Sequence, residues 1–192
     1  MSEPLPVRVE WLAPEHMDGF VALFEADGSP CYCRYWHFEG DKNAWLLRCA
    51  ETPEVNPEEA RRDVAAGEAR ARGLVAIDEA GAIVGWMKLA PRATLPKLRR
   101  LPTYRAHDLG DDDGILSIGC FLVRPDVRER GVARALVVGA LRLAKDAGAR
   151  AVEAYPRDGI HAAEAWTGPS AIFDGFAHVA GEAPYRVLRA TL

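Results

Sequence analysis

Cysteine is scarce in this chain: four stand among 192 residues, and no two form a C-x-x-C pair. The five histidines are scattered singly. A structural metal centre draws on three or four such ligands at close spacing, so no metal is expected. An excess of positive charge is also missing, with 24 Lys and Arg against 28 Asp and Glu and a formal net charge of -4. Affinity for a nucleic-acid backbone rests on clustered cations that release counterions, so no nucleic-acid partner is expected. A cationic small molecule suits this balance better. Long apolar runs are absent too, and no window approaches the roughly 18–20 residues of a membrane span. The opening stretch MSEPLPVRVEWLAPEHMDGF, broken by prolines and acids, does not read as a signal peptide. The expectation is a cytoplasmic protein without a membrane partner, whose four cysteines are thiols.

What is present suffices for a single domain over residues 1–192, with 49% hydrophobic residues to fill a core. Val7 to Trp11 alternates like a strand. Met17, Phe20, Val21 and Phe24 follow at helical spacing, with Pro14 well suited to a first turn. NAWLLRCA suggests a short helix, and Asn56-Pro57 reads as the N-cap and first position of a helix over PEEARRDVAAGEARA. GLVAID and IVGWMKLA, separated by EAGA, predict a hairpin that Pro91 ends. From Arg92 to Gly114 no clear period appears; this long connection ends in the acidic run Asp111, Asp112, Asp113. ILSIGCFLV, from Ile115 to Val123, predicts a buried central strand. GVARALVVGALRLAKDAGA predicts an amphipathic helix that Gly148 stops, and RAVEAY a strand parallel to the central one. FAHVAG and PYRVLRATL predict a final strand pair.

The stretch SPCYCRYWHF, Ser29 to Phe38, concentrates unusual residues. Cys31, Cys33 and His37 supply at most three metal ligands, and cysteines two apart pair only with strain. The remaining reading is a pocket wall, with Tyr35, Trp36 and Trp86 stacking against a sugar or alkylammonium group and Cys33 as a small packing residue. Its alternative is a set of aromatics that fasten the loop to the core.

The junction VRPDVRERGVARAL carries the clearest chemistry. A buried strand ends at Val123 and a helix begins near Val132, so the unpaired N–H groups of the first turn, at the positive end of the helix dipole, form an anion site. Gly131 and Ala133 leave room for a phosphate, and Arg128, Arg130 and Arg134 add charge around it. Neither G-x-x-x-x-G-K-[ST] nor G-x-G-x-x-G is present. Arg128-Glu129-Arg130-Gly131-Val132-Ala133 instead fits R-x-x-G-x-A after V-x-P. At these residues the chain resembles the GCN5-related N-acetyltransferase (GNAT) superfamily. The resemblance extends to a bacterial subgroup with C-x-C-x-Y-W (Cys31, Cys33, Tyr35, Trp36), G-W before A-P-R (Gly85, Trp86; Ala90, Pro91, Arg92), C-F (Cys120, Phe121) and Tyr155-Pro156. Some aminoglycoside-type resistance acetyltransferases, kasugamycin acetyltransferase among them, are similar.

The resemblance implies an α/β fold of the GNAT type: a mixed, mostly antiparallel sheet with a parallel, splayed pair at its centre, flanked by helices. It implies acetyl-CoA as cosubstrate, bound by Phe121, Leu122, Val123 and the loop Arg128 to Arg134, with a strand N–H near Phe121 or Leu122 polarising the thioester. The acceptor is expected to be a small cationic amine, an aminoglycoside-type antibiotic being the sharpest form; a protein acceptor or a silent acyl-CoA sensor are the alternatives. Ser117 stands where histone-type members carry a glutamate base and can hold a water. Phe173 stands nearest the usual acid tyrosine, which leaves Tyr155 as replacement acid, as substrate contact, or as a mere strand-end aromatic. Base candidates are Asp111, Asp112, Asp113 and Glu153, and Trp166 joins the substrate-contact candidates. Dimers are common in the family.

Overall fold

The computed structural model describes residues 3–159 and 166–192. Among these, seven strands form one sheet: β1 (Val7–Trp11), β2 (Gly73–Asp78), β3 (Ile83–Pro91), β4 (Ile115–Val123), β5 (Ala151–Ala154), β6 (Ala177–Ala180) and β7 (Val187–Thr191). Their order is β1-β2-β3-β4-β5-β7-β6, and only β4 and β5 run parallel. The fold class expected from the sequence is the one observed.

Two features of β4 shape the centre. Met87 pairs with Phe121 and Leu89 with Ile118, so Gly119 and Cys120 together face Lys88 alone. Such a bulge bends its strand and re-aims the next side chain. On the other side β4 pairs with β5 only from Ile115 to Ser117, and beyond that point the two strands part.

Helices cover both faces. α1 (Met17–Asp27) lays Met17, Phe20, Leu23 and Phe24 on Val75, Ile77 and Trp86. On the opposite face α6 (Val132–Asp146) buries Val132, Leu136, Val137, Ala140 and Ala144 against Leu74, Ala76, Val84, Met87 and Val152. Gly139 allows the close approach of α6 to β1, since a Cβ there would lie 2.5 Å from Val9 Cγ1. α2 (Lys42–Glu51) starts where the Asp41 carboxylate accepts the Ala44 N–H at 2.8 Å.

Three expectations are corrected. α3 (Val55–Ala65) begins before Asn56 and ends before Gly67, which has φ +67°. Asn56 is buried and donates Nδ2 to the Pro30 carbonyl at 2.8 Å, so it ties down the loop after α1 instead of capping the helix. The stretch after Arg92 is partly helical, with α4 (Pro96–Arg100) and α5 (Pro102–Arg105). Each opens on a proline, whose missing N–H costs nothing in a first turn, and each is too short to show a period. Finally, Cys33 and Cys120 form a disulfide, while Cys31 and Cys49 are free. The pair is 87 residues apart in sequence and meets because the loop after α1 crosses β4 at its bulge, which no local spacing reveals.

Candidate functional site

The loop after β4 leaves open backbone at its helix end. Glu129 (φ 62°) and Gly131 (φ 81°) both take left-handed backbone, and Gly131 caps α6 with no side chain in the way. A Cβ on Gly131 would meet nothing within 4 Å, so the mouth of the helix is open. Val132 is buried in the α6 core and fixes the first turn; Ala133 beside it is half-buried. Arginines ring the opening, Arg128 and Arg134 exposed and Arg130 half-buried. Arg128 donates to the Val123 carbonyl at 3.1 Å and pairs with Asp27; Arg130 donates to the Glu3 carbonyl at 3.1 Å; Arg134 pairs with Asp174. A groove of about 1390 Å³ between β1 and α6 reaches Glu129, Arg130, Gly131 and Arg134. The donor set and the space suit a pyrophosphate.

Along β4, the N–H of Phe121 faces the gap left by β5 and donates to the carbonyl of Trp166 at 2.6 Å. Leu122 and Val123 pair with Trp86 and Gly85 on β3. The Phe121 ring meets Phe173, centroids 6.0 Å apart, and Phe173 is buried in the α6 core.

Nearer the start of the gap a buried polar network joins four residues that the sequence singled out. Ser117 Oγ lies 3.2 Å from the Tyr155 hydroxyl, which donates to Glu153 Oε1 at 3.0 Å. Arg92 Nη1 donates to both Glu153 oxygens, at 3.0 and 2.8 Å, and Arg189 donates to Oε2 at 2.9 Å. Arg92 Nε donates to Asp112 at 2.6 Å. Ser117, Glu153 and Arg92 are fully buried. Burial pushes the Tyr155 phenol far up, and the Glu153 charge adds to this. For Arg92 burial works against the charge, but the hydrogen bonds and charge of Glu153 outweigh it and its pKa is raised. Of the other acids, Asp111 pairs with Arg150 at 2.6 Å at the surface, which holds its carboxyl below the usual range, and Asp113 is exposed.

The profile of the Acetyltransferase (GNAT) family matches residues 19–166. The chain belongs to this family. PaiA N-acetyltransferase from Thermoplasma acidophilum, solved with coenzyme A, is 9% identical with TM-score 0.56 over 98% of this chain and 100% of its own. The GNAT domain of S. lividans PAT is 16% identical with TM-score 0.57 over 97% and 90%. The YhbS acetyltransferase of Escherichia coli, also solved with CoA, is 20% identical with TM-score 0.52 over 98% and 84%. These likenesses carry the fold; the family makes the chain an acetyltransferase with acetyl-CoA as cosubstrate. No curated protein sequence matches it.

In this GNAT acetyltransferase the aromatic loop divides. Tyr35 and Trp36 lie in a 3-10 turn over the β4 bulge. Trp36 is 2% exposed, and Gly119 gives it room, because a Cβ there would be 2.9 Å from Trp36 Nε1. Its ring also meets that of Trp166, at 5.4 Å. Tyr35 is half-buried, with Lys97 Nζ 4.5 Å from its ring centroid. Trp86 belongs instead to the α1 core, 4.8 Å from Phe20, with Nε1 donating to Cys33 Sγ at 3.0 Å.

Sequence reasoning missed the charges beneath this loop. Arg34 and Asp63 form a buried pair, and Lys88 at the bulge is buried with its ammonium on the Arg70 carbonyl. Burial, then the Arg34 charge, lowers Lys88 to about 7 against the pull of Asp63. His37 is lowered to about 3, chiefly by burial and then by Lys88 and Arg34. A lysine inside an apolar strand, IVGWMKLA, was the one visible signal. Among the described residues no group of three or more His, Cys, Asp or Glu is placed to hold a metal ion, and no helix is long and apolar enough to cross a membrane.

Proposed function

We propose that this acetyltransferase, acting as a single domain, moves the acetyl group of acetyl-CoA directly to the primary amine of a small molecule. The observation that carries the reading is the parting of β4 from β5 after Ser117. One strand then offers a donor for the thioester carbonyl, the Phe121 N–H, and at its end an anion cradle for the pyrophosphate, with Gly131 at the helix cap. In the reaction the thioester carbonyl takes the place of the Trp166 carbonyl on that N–H. The amine nitrogen attacks the carbonyl carbon, the N–C bond forms, the C–S bond breaks, and the CoA sulfur leaves with the electron pair and is protonated. Holding the amine beside the thioester supplies much of the acceleration.

Proton transfer falls to the buried network. Ser117 holds a water that takes the proton lost by the amine, and the Tyr155 hydroxyl links Ser117 to the Glu153 carboxylate. Because burial keeps Tyr155 a neutral phenol, it acts by donating and accepting hydrogen bonds. Asp112 acts through Arg92 as a positioning residue. Direct transfer is favoured over a cysteine relay, since the Cys120 sulfur is bonded to Cys33. The acidic run and Glu153 stood in the sequence as base candidates and as contacts for a cationic acceptor. Glu153, Asp112 and Asp111 are matched by Arg92, Arg189 and Arg150, so these acids do not carry that expectation.

The test is thiol release from acetyl-CoA with amino acids, polyamines, aminoglycosides and short peptides, with mass spectrometry of the product. Equal amounts of thiol and N-acetylated amine are expected. Tight acetyl-CoA binding with no release in any class would overturn the reading in favour of a sensor.

A further inference from the structure

Beside the buried network a cavity of about 210 Å³ is lined by Leu98, Tyr104, Arg105, His107, Leu109 and Tyr155. Its floor is Tyr155, the residue bonded to Ser117 on β4; its walls are the Tyr104 ring, edge-on to Tyr155 with centroids 4.7 Å apart, and two leucines. Besides the Tyr104 and Tyr155 hydroxyls, its polar side chains are the Arg105 guanidinium and the His107 imidazole. Arg105 and His107 form no ion pair or side-chain hydrogen bond among the described residues. Arg157, half-buried and stacked over Tyr185 at 5.2 Å, has a buried Nε without a hydrogen-bond partner, and its charge reaches the Tyr104 phenol. The carboxylates of the adjoining network are already matched by arginines; Asp108 nearby is exposed and accepts the Gly110 N–H. A guanidinium and an imidazole at a cleft walled by tyrosines and leucines suit a monoanion.

We propose that this cavity is an acceptor subsite for a carboxylate, so that the natural acceptor is an amine carrying a carboxylate several ångströms from the reacting nitrogen. The inference rests on the acetyl-transfer reading, which places the thioester at Phe121. Ser117 precedes Phe121 by four residues, but the bulge sets them against only the three steps of β3 from Ala90 to Met87, about 10 Å at ~3.3 Å per residue. The Tyr155 hydroxyl, 3.2 Å from Ser117 Oγ, extends this span toward the cavity and the thioester takes up part of it, which leaves on the order of 6–9 Å between amine and carboxylate. That separation fits an ω-amino acid or a short peptide and not an α-amino acid alone.

The test compares 6-aminohexanoate with hexylamine and spermidine as acceptors for wild type and for the double variant Arg105→Gln, His107→Gln. In wild type, kcat/KM for 6-aminohexanoate should exceed that for hexylamine at least about tenfold, the scale of one charge-assisted contact. The double variant should lose this preference while keeping its rate with hexylamine. Equal use of the two amines, a preference for spermidine, or a preference that survives the double substitution would overturn the subsite. A second measurement does not need turnover: saturation-transfer NMR with N-acetyl-6-aminohexanoate and with N-hexylacetamide. If no amine is acetylated but the first binds wild type and not the variant, the subsite stands and the transfer reading falls. If neither binds, the subsite falls.

Discussion

The backbone N–H of Phe121 donates to the carbonyl of Trp166 at 2.6 Å, so the donor assigned to the thioester is already engaged by the chain itself. Buried N–H groups are rarely left without a partner, and the parting of β4 from β5 removes the one that a neighbouring strand would supply. Trp166 also packs its ring near Trp36, which couples this exchange to the aromatic loop.

Acetyl-CoA binding should therefore move Trp166. Addition of acetyl-CoA is expected to change the tryptophan fluorescence of wild type, and Trp166→Phe should lose most of that change while still binding. A full change in Trp166→Phe would mean that the Trp166 segment does not yield to the cosubstrate.

Arg92 should matter first for stability. Arg92→Met leaves the buried Glu153 carboxylate with Arg189 and the neutral Tyr155 hydroxyl, and breaking a buried pair from one side costs roughly 3–5 kcal/mol. The double variant Arg92→Met, Glu153→Met removes both charges and should be less damaged. Urea unfolding of the three proteins decides this; an equal loss in single and double variants would contradict it.

Lys88 predicts a pH dependence. Its folded pKa of about 7 lies below the ordinary 10.5, so the unfolded chain binds more protons between those values. Stability therefore rises with pH from about 7 toward 10.5 and is lowest below 7. Relative to Lys88→Met, wild type should gain roughly 2 kcal/mol between about pH 7 and 9. Parallel stability curves for the two proteins would show that Lys88 does not titrate in this window.

Regular elements were the legible part of this chain. β4 and α6 could be bounded within a residue or two, because a continuous apolar run and a long amphipathic period each leave a one-dimensional trace. The loop that opens α6 was legible for the same reason, being contiguous from Arg128 to Arg134. Arg92 was not: its role depends on Glu153, 61 residues away. Trp86 and Trp36 looked alike in sequence, yet one faces the α1 core and the other the β4 bulge. Face assignment in β3 and β4 turns on the bulge at Gly119 and Cys120, and a one-residue irregularity has no composition.

The Cys33–Cys120 bond should contribute to stability by closing a loop of 87 residues in the unfolded chain. Reduction, or Cys120→Ser, is expected to cost roughly 2–4 kcal/mol. Thermal unfolding with and without dithiothreitol checks this; an unchanged midpoint, with thiol titration confirming reduction, would contradict it.

The most direct measurement is isothermal titration of acetyl-CoA into wild type and Gly131→Glu. Gly131 caps α6 at φ 81°, where any side chain is strained and a carboxylate would occupy the place of the pyrophosphate with the wrong charge. Wild type should bind with one-to-one stoichiometry, and the variant, folded by circular dichroism, should bind at least about a hundredfold more weakly. Equal affinity in both proteins would contradict the placement of acetyl-CoA on this loop.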